Sequence, residues 1–195
     1  MSHSWLIAVD LDGTLLRDKD KTISERNKAA LQKAINLGHK VVISTGRPFR
    51  SSKMYYHELN LDTPIVNFNG ALVHHPRLKE WGLFHSPMEL NTAQEVIKLS
   101  EAIGVQNLMV EVMDDVYLKK RDDQLIETFF GPSVTVNILP KDLHTDPTSV
   151  LIYPDDSNID KLREMIEAHH AEAVEHRRWG APWNVIEVIR KGLNK

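Results

Sequence analysis

Two carboxylates, Asp10 and Asp12, stand two residues apart directly after five apolar residues, Trp5-Leu6-Ile7-Ala8-Val9. Asp12-Gly13 alone is a common turn pair, but a turn does not explain Asp10. A carboxylate at the mouth of a buried strand can attack phosphorus and form an aspartyl-phosphate. A second carboxylate beside it can protonate a leaving oxygen and later take a proton from water. Gly13 lets the backbone turn tightly enough for amides to approach phosphate oxygens. Two clustered carboxylates also attract a hard cation such as Mg²⁺, which prefers oxygen ligands. Two further polar clusters follow apolar runs: Ser44-Thr45-Gly46-Arg47 after Val41-Val42-Ile43, and Asn69-Gly70 after Ile65-Val66-Asn67-Phe68. By residue type alone the first reads as a helix cap and the second as a β-turn.

The elements that must hold these clusters are legible. Trp5–Val9 reads as a strand buried on both faces, the habit of parallel sheets. Ser24 is placed to cap a helix whose stripe is Ala29, Ala30, Leu31, Ala34, Ile35 and Leu37, with Gly38 as its stop. Val41–Ile43 is a second strand, Phe49–Leu59 a helix, and Ile65–Phe68 a third strand. Strand, helix, strand, helix, strand with a polar loop after each strand predicts an open α/β sheet, whose ligands sit beyond the carboxyl ends of its strands.

After His75-Pro76 the pattern changes. Leu108–Val112 and Val116–Leu118 flank a turn at Asp114-Asp115. Val134–Ile138 alternates as a half-exposed strand, and Val150–Tyr153 is another. Helices fit Thr92–Ile103 and Asn158–His170, the second with a start at Ser157–Asp160 that resembles a capping box. This predicts an antiparallel α+β unit over 77–186, inserted by crossings near Pro76 and Val185.

Composition sets the outer bounds. The chain has 195 residues, a length that at about 150 residues per domain suggests one large or two small domains. Apolar residues are 42% and charged residues 26%, ordinary for a globular protein. A net charge of −3 offers no bulk attraction to nucleic acid. The absence of cysteine removes disulfides, thiolate metal sites and thiol nucleophiles. No apolar window approaches the length of a membrane span and no signal core is visible, so a cytoplasmic location is the expectation. The ten histidines are scattered. His74-His75 and His169-His170 are adjacent pairs without ligand spacing and are assigned to the surface. Trp179 and Trp183 read as packing.

Asp10-Leu11-Asp12-Gly13-Thr14, with its preceding strand, resembles the first signature of haloacid dehalogenase-type phosphatases. Thr45-Gly46-Arg47 and Asn69-Gly70-Ala71 resemble the Cof-type subfamily, whose members mostly hydrolyse sugar phosphates and other small phosphate esters. The resemblance implies a Rossmann-like parallel-sheet core, residues 1–76 and 187–195, with an inserted α/β cap over 77–186. It implies Asp10 as nucleophile and Asp12 as general acid/base. Mg²⁺ would sit on the Asp10 carboxylate and the Asp12 carbonyl. Leu11, Thr45, Gly46, Arg47, Asn69 and Lys195 would surround the phosphate and substrate. Ser44 is the neighbour that competes with Thr45, and Lys191 competes with Lys195.

The implied partner is a small phosphorylated metabolite, with no nucleic acid or membrane. The family's last motif supplies further acidic metal ligands, usually as Gly-Asp. No Gly-Asp pair occurs here, and Tyr153-Pro154-Asp155-Asp156 lies too early to replace it. The chain is therefore expected to correspond to the first part of a family member, with an incomplete core. Alternatives that keep the same motifs are a non-catalytic phosphate-binding relative and a phosphotransferase or phosphomutase.

Overall fold

The computed structural model describes residues 3–129, 136–139, 143–179 and 184–195. The chain divides into two compact units, Met1–His85 with Asn194–Lys195, and Ser86–Leu193.

In the first unit, strand β1 (Leu6–Val9) runs parallel to β2 (Lys40–Ile43), in register from Leu6↔Lys40 to Val9↔Ile43. Helix α1 (Glu25–Asn36) connects them. Ser24 caps it as expected: its side chain accepts the Asn27 N–H at 3.2 Å. Helix α2 (Phe49–Glu58) leads to β3 (Ile65–Asn67), which joins β2 through a parallel bridge between Ser44 and Val66. The predicted βαβαβ order is therefore present. Beyond it, β4 (Leu72–His74) and β5 (Leu83–His85) continue from β3 as an antiparallel meander. The core of this unit gathers Leu11, Leu15, Val41, Ile43, Tyr55, Tyr56 and Ile65.

Three sequence expectations fail here. β1 is not buried on both faces: Leu6 is 70% exposed and Ala8 is exposed. It pairs with β2, and among the described residues no strand pairs its other edge. In α1, Leu31, Ala34 and Ile35 are half-buried, while Ala29, Ala30 and Leu37 are exposed. The first unit also extends past Pro76, because β4 pairs with β3 and β5 pairs with β4.

In the second unit, helix α3 (Leu90–Ile103) precedes β6 (Val105–Val112) and β7 (Asp115–Leu118). The turn between these strands is Met113-Asp114, one residue earlier than predicted, with Met113 at φ 52. Then follow α4 (Asp123–Phe129), β8 (Val136–Ile138), β9 (Ser149–Pro154), α5 (Ile159–His170), β10 (Val174–Arg178) and β11 (Ile186–Arg190). The six strands lie in the order β10-β11-β9-β6-β7-β8, antiparallel except for β7 and β8. Because β11 is enclosed between β10 and β9, the return strand belongs to this sheet, and the division falls after Leu193 rather than at 186. Val134, Thr135 and Trp183 lie outside the described residues. The capping box at Ser157–Asp160 is not formed: Asn158 makes no side-chain cap bond, and its amide instead donates to the Ile103 carbonyl at 3.2 Å.

His75 corrects the surface assignment. It is 7% exposed, and its Nδ1 accepts the N–H groups of Arg77 at 3.3 Å and Leu78 at 3.2 Å.

Candidate active site

The loop after β1 is a single wide turn. Leu15 N–H donates to the Asp10 carbonyl at 3.2 Å and Leu16 N–H to the Leu11 carbonyl at 2.9 Å, each spanning five residues. Such wide turns are rare and favour functional sites. The turn is possible because Gly13 takes φ 71 while Asp12 stays extended at ψ 130. Leu11 and Leu15 are buried and anchor it from below.

Asp10 is half-buried, and its two carboxylate oxygens are engaged separately. Oδ1 accepts the Leu11 N–H at 2.8 Å, and Oδ2 is bound by the Lys195 ammonium. Lys195, 185 residues along the chain, thus meets Asp10. Lys191 instead donates to the Ala171 carbonyl within the second unit. The approach of the last two residues depends on Gly70. At φ +100 it accepts a conformation that suits glycine, and an added Cβ there would stand 2.5 Å from the Asn194 carbonyl oxygen.

Asp12 faces Arg47. Arg47 Nε donates to Oδ2 at 2.6 Å and Nη2 to Oδ1 at 2.7 Å, a bidentate fork. The hydrogen bonds from Arg47 hold the Asp12 carboxyl below the usual carboxylate range, against partial desolvation and with Coulombic help from Arg47, Lys21 and Lys195. Arg47 also lies over the Tyr55 ring, 5.6 Å from its centroid. Lys21 Nζ stands 3.7 Å from Asp12 Oδ1.

Thr45 is buried. Its Oγ accepts the Arg47 N–H at 3.1 Å, its N–H donates to the Val66 carbonyl, and its carbonyl accepts the Asn69 N–H. It does not cap α2, whose flanking residue is Pro48. Asn69, buried at φ 53, lies against Gly46, where an added Cβ would meet the Asn69 amide at 3.1 Å. Leu11 contributes differently from the rest: its side chain is in the core and its N–H is already given to Asp10.

Of the residues singled out in the sequence, the structure joins Asp10 to Leu11 and Lys195, Asp12 to Arg47, and Thr45 to Arg47 and Asn69. Sequence reasoning missed Lys21, Tyr55 and the Gly70–Asn194 approach. A run of charges in a turn, Arg17–Lys21, was the one signal for Lys21.

For a divalent cation the loop offers the Asp10 carboxylate and the Asp12 main-chain carbonyl. Among the described residues no group of three or more His, Cys, Asp or Glu converges. That donor set fits Mg²⁺, which keeps several waters and uses one or two carboxylates together with substrate phosphate.

The model of the haloacid dehalogenase-like hydrolase family matches residues 7–195. The chain belongs to this family. Among curated relatives, a 5-amino-6-(5-phospho-D-ribitylamino)uracil phosphatase of Bacillus subtilis is 49% identical over 193 residues, covering 98% of this chain and 71% of the relative. The pyridoxal phosphate phosphatase of Escherichia coli is 35% identical over 104 residues, covering 53% of this chain and 38% of the relative. Among solved structures, a haloacid dehalogenase-like hydrolase from Bacteroides thetaiotaomicron matches with a TM-score of 0.81 at 18% identity, over 98% of this chain and 73% of that one. A haloacid dehalogenase subclass IIB sugar phosphatase matches with a TM-score of 0.74 at 17% identity, over 98% and 72%. The fold is therefore the α/β fold of these hydrolases, as the motifs implied. No helix among the described residues is long and apolar enough to cross a membrane.

Proposed function

We propose that the chain hydrolyses small phosphate esters, through an aspartyl-phosphate on Asp10. The observation that carries this reading is the meeting of Asp10 with Lys195. A nucleophilic carboxylate gains from a cation that also neutralises the incoming phosphoryl group, and phosphoryl transfer depends mostly on such positioning and charge compensation.

In the first step an Asp10 carboxylate oxygen bonds to phosphorus as the bond from phosphorus to the leaving oxygen breaks. Asp12 gives its proton to that oxygen. In the second step Asp12 takes a proton from water, the water oxygen bonds to phosphorus, and the phosphorus–Asp10 bond breaks to release inorganic phosphate and restore the carboxylate. Held by the Arg47 fork, Asp12 is ionised and suited to the base step. Its acid step calls for the fork to open.

Thr45, tied to Arg47, is the hydroxyl assigned to the phosphoryl oxygens. Asn69 and Gly46 shape the floor beside it. Asp10 and the Asp12 carbonyl would hold Mg²⁺, which when bound supplies charge neutralisation to the transferring group. Ser86–Leu193 is read as the inserted cap that selects the leaving group.

The test is a phosphate-release screen with Mg²⁺ across sugar phosphates, nucleotides and cofactor phosphates. 5-Amino-6-(5-phospho-D-ribitylamino)uracil is tried first, given the 49% identity to the phosphatase that bears its name. Release from at least one ester, abolished in Asp10→Asn, is expected. Release that survives Asp10→Asn contradicts the reading.

A further inference from the structure

Lys21 lies in the turn between Leu16 and Ile23, whose ends pair across an antiparallel bridge. Its backbone is held from both sides: its N–H donates to the Arg17 carbonyl at 2.9 Å, and its carbonyl accepts the Tyr55 hydroxyl at 2.8 Å. It is held at φ 53, a left-handed conformation that turns usually assign to Gly or Asn. A lysine fixed there is an outlier that asks for a reason.

The side chain supplies one. Lys21 Nζ stands 3.7 Å from Asp12 Oδ1 and 3.9 Å from Asp18 Oδ1, both beyond hydrogen-bond length, and the side chain is 49% exposed. Arg47, in contrast, commits two donors to Asp12, and Lys195 is bound to Asp10. Three cations thus gather on two carboxylates, and Lys21 spends no ammonium donor on either of them. Asp18 beside Lys21 brings the cluster to three cations and three carboxylates, so it is the uncommitted Lys21 ammonium, rather than a net charge, that is open to an anionic substrate.

We propose that Lys21 is a specificity-determining contact to the leaving group, donating from its ammonium to oxygens next to the ester. The inference rests on the phosphatase reading above. Asp12 is the group that must reach the leaving oxygen, so a donor 3.7 Å from its carboxylate reaches the same part of the substrate. Asp10 and Lys195 take the phosphoryl end. Lys21 therefore favours leaving groups rich in hydroxyl or carbonyl oxygen over those without.

The probes are ribose 5-phosphate, which has an oxygen-rich leaving group, and inorganic phosphate, which has none. Their Kd values are measured by calorimetry with Mg²⁺ on the full chain in an Asp10→Asn background, where the ester is bound but not turned over. Lys21→Gly is the informative variant, because glycine takes the left-handed conformation without strain and removes only the side chain.

Lys21→Gly is expected to weaken ribose 5-phosphate by about tenfold or more, the value of a hydrogen bond from a charged donor. Inorganic phosphate should change by no more than about twofold, as for a screened surface charge. Lys21→Arg should restore most of the affinity for ribose 5-phosphate. Equal weakening of both probes, no change in either, or failure of Lys21→Arg to restore would each overturn the proposal. If the chain with Lys21 intact binds neither probe and phosphate release is indifferent to Asp10→Asn, the phosphatase reading itself falls, and this inference with it.

Discussion

The two units treat their strands and their carboxylates in opposite ways. In the unit Ser86–Leu193 every residue of β9 is buried, and Val150 and Ile152 pack with Leu108, Val110, Ile186 and Val188 in one core. In the other unit Leu6 of β1 is 70% exposed, and α1 has no buried residue. The carboxylates reverse this contrast. Asp12, nearly half exposed, is gripped by Arg47 and held below its ordinary titration range. Glu187, 7% exposed on β11, is pushed above its range by burial, with the Trp179 indole N–H as a partial counterweight. At Asp12 the surroundings favour the charged carboxylate, and at Glu187 burial in a packed sheet disfavours it. The contrast predicts that chemistry and stability separate by unit.

The largest effect should fall on turnover. Asp12→Asn keeps the backbone carbonyl and removes the proton carrier, so kcat should drop by about 10²–10⁴. Stability should change by only about 0–1 kcal/mol, because the Arg47 pair is solvent-exposed. Phosphate-release kinetics paired with denaturant unfolding check both halves. An unfolded Asp12→Asn variant would break the separation.

Ile152→Ala tests the other side. Ile152 is 0% exposed in the core, and truncation should cost about 2–5 kcal/mol through lost transfer energy and a residual cavity. Urea unfolding reads it directly. A cost below about 1 kcal/mol would mean that this sheet is not the stability reserve.

Gly70→Ala should come next. The added Cβ meets the Asn194 carbonyl at 2.5 Å and the φ of +100 is strained for alanine. The expected stability cost is about 1–3 kcal/mol, together with weaker binding of inorganic phosphate as Lys195 is displaced from Asp10. Retained phosphate affinity would show that Lys195 reaches Asp10 without the glycine.

The smallest effect concerns pH. A carboxyl whose folded pKa is raised favours folding below its unfolded value, about 4.3, and that contribution is lost as pH rises from there through the folded pKa. For Glu187, Glu187→Gln should therefore raise the thermal midpoint at pH 7, with the gap closing below about pH 4. Asp12 has the opposite sign: its lowered pKa contributes stability above the unfolded value, lost as pH falls through the folded one. Melting curves of wild type, Glu187→Gln and Arg47→Met across pH would show both slopes. A Glu187→Gln variant less stable at pH 7 would reverse the assignment.

How much could be read beforehand follows the same division. The strand–loop order of the first unit was legible because its polar clusters interrupt apolar runs abruptly, as at Val9-Asp10 and Ile43-Ser44. Asp10, Asp12, Arg47 and Lys195 were named, but local periodicity cannot show that Arg47 grips Asp12 or that Lys195 meets Asp10. Those pairings join residues 35 and 185 positions apart. β10, Val-Glu-His-Arg-Arg, escaped notice because its charged residues hide a strand that only its pairing with β11 reveals. The short β4 and β5 escaped for a similar reason: the exposed Leu83 and Phe84 give no alternation, and tertiary pairing decides their state. Lys21 escaped because its significance lies in a backbone angle.

The central claim is that Asp10 is the nucleophile. The direct measurement is acid quench of the chain during incubation with a hydrolysable phosphate ester and Mg²⁺, followed by mass spectrometry of its peptides. The account predicts a phosphoryl adduct on the peptide carrying Asp10, removed by hydroxylamine as an acyl phosphate should be, and absent from Asp10→Asn. An adduct on another residue, or phosphate release that continues in Asp10→Asn without any adduct, would contradict it.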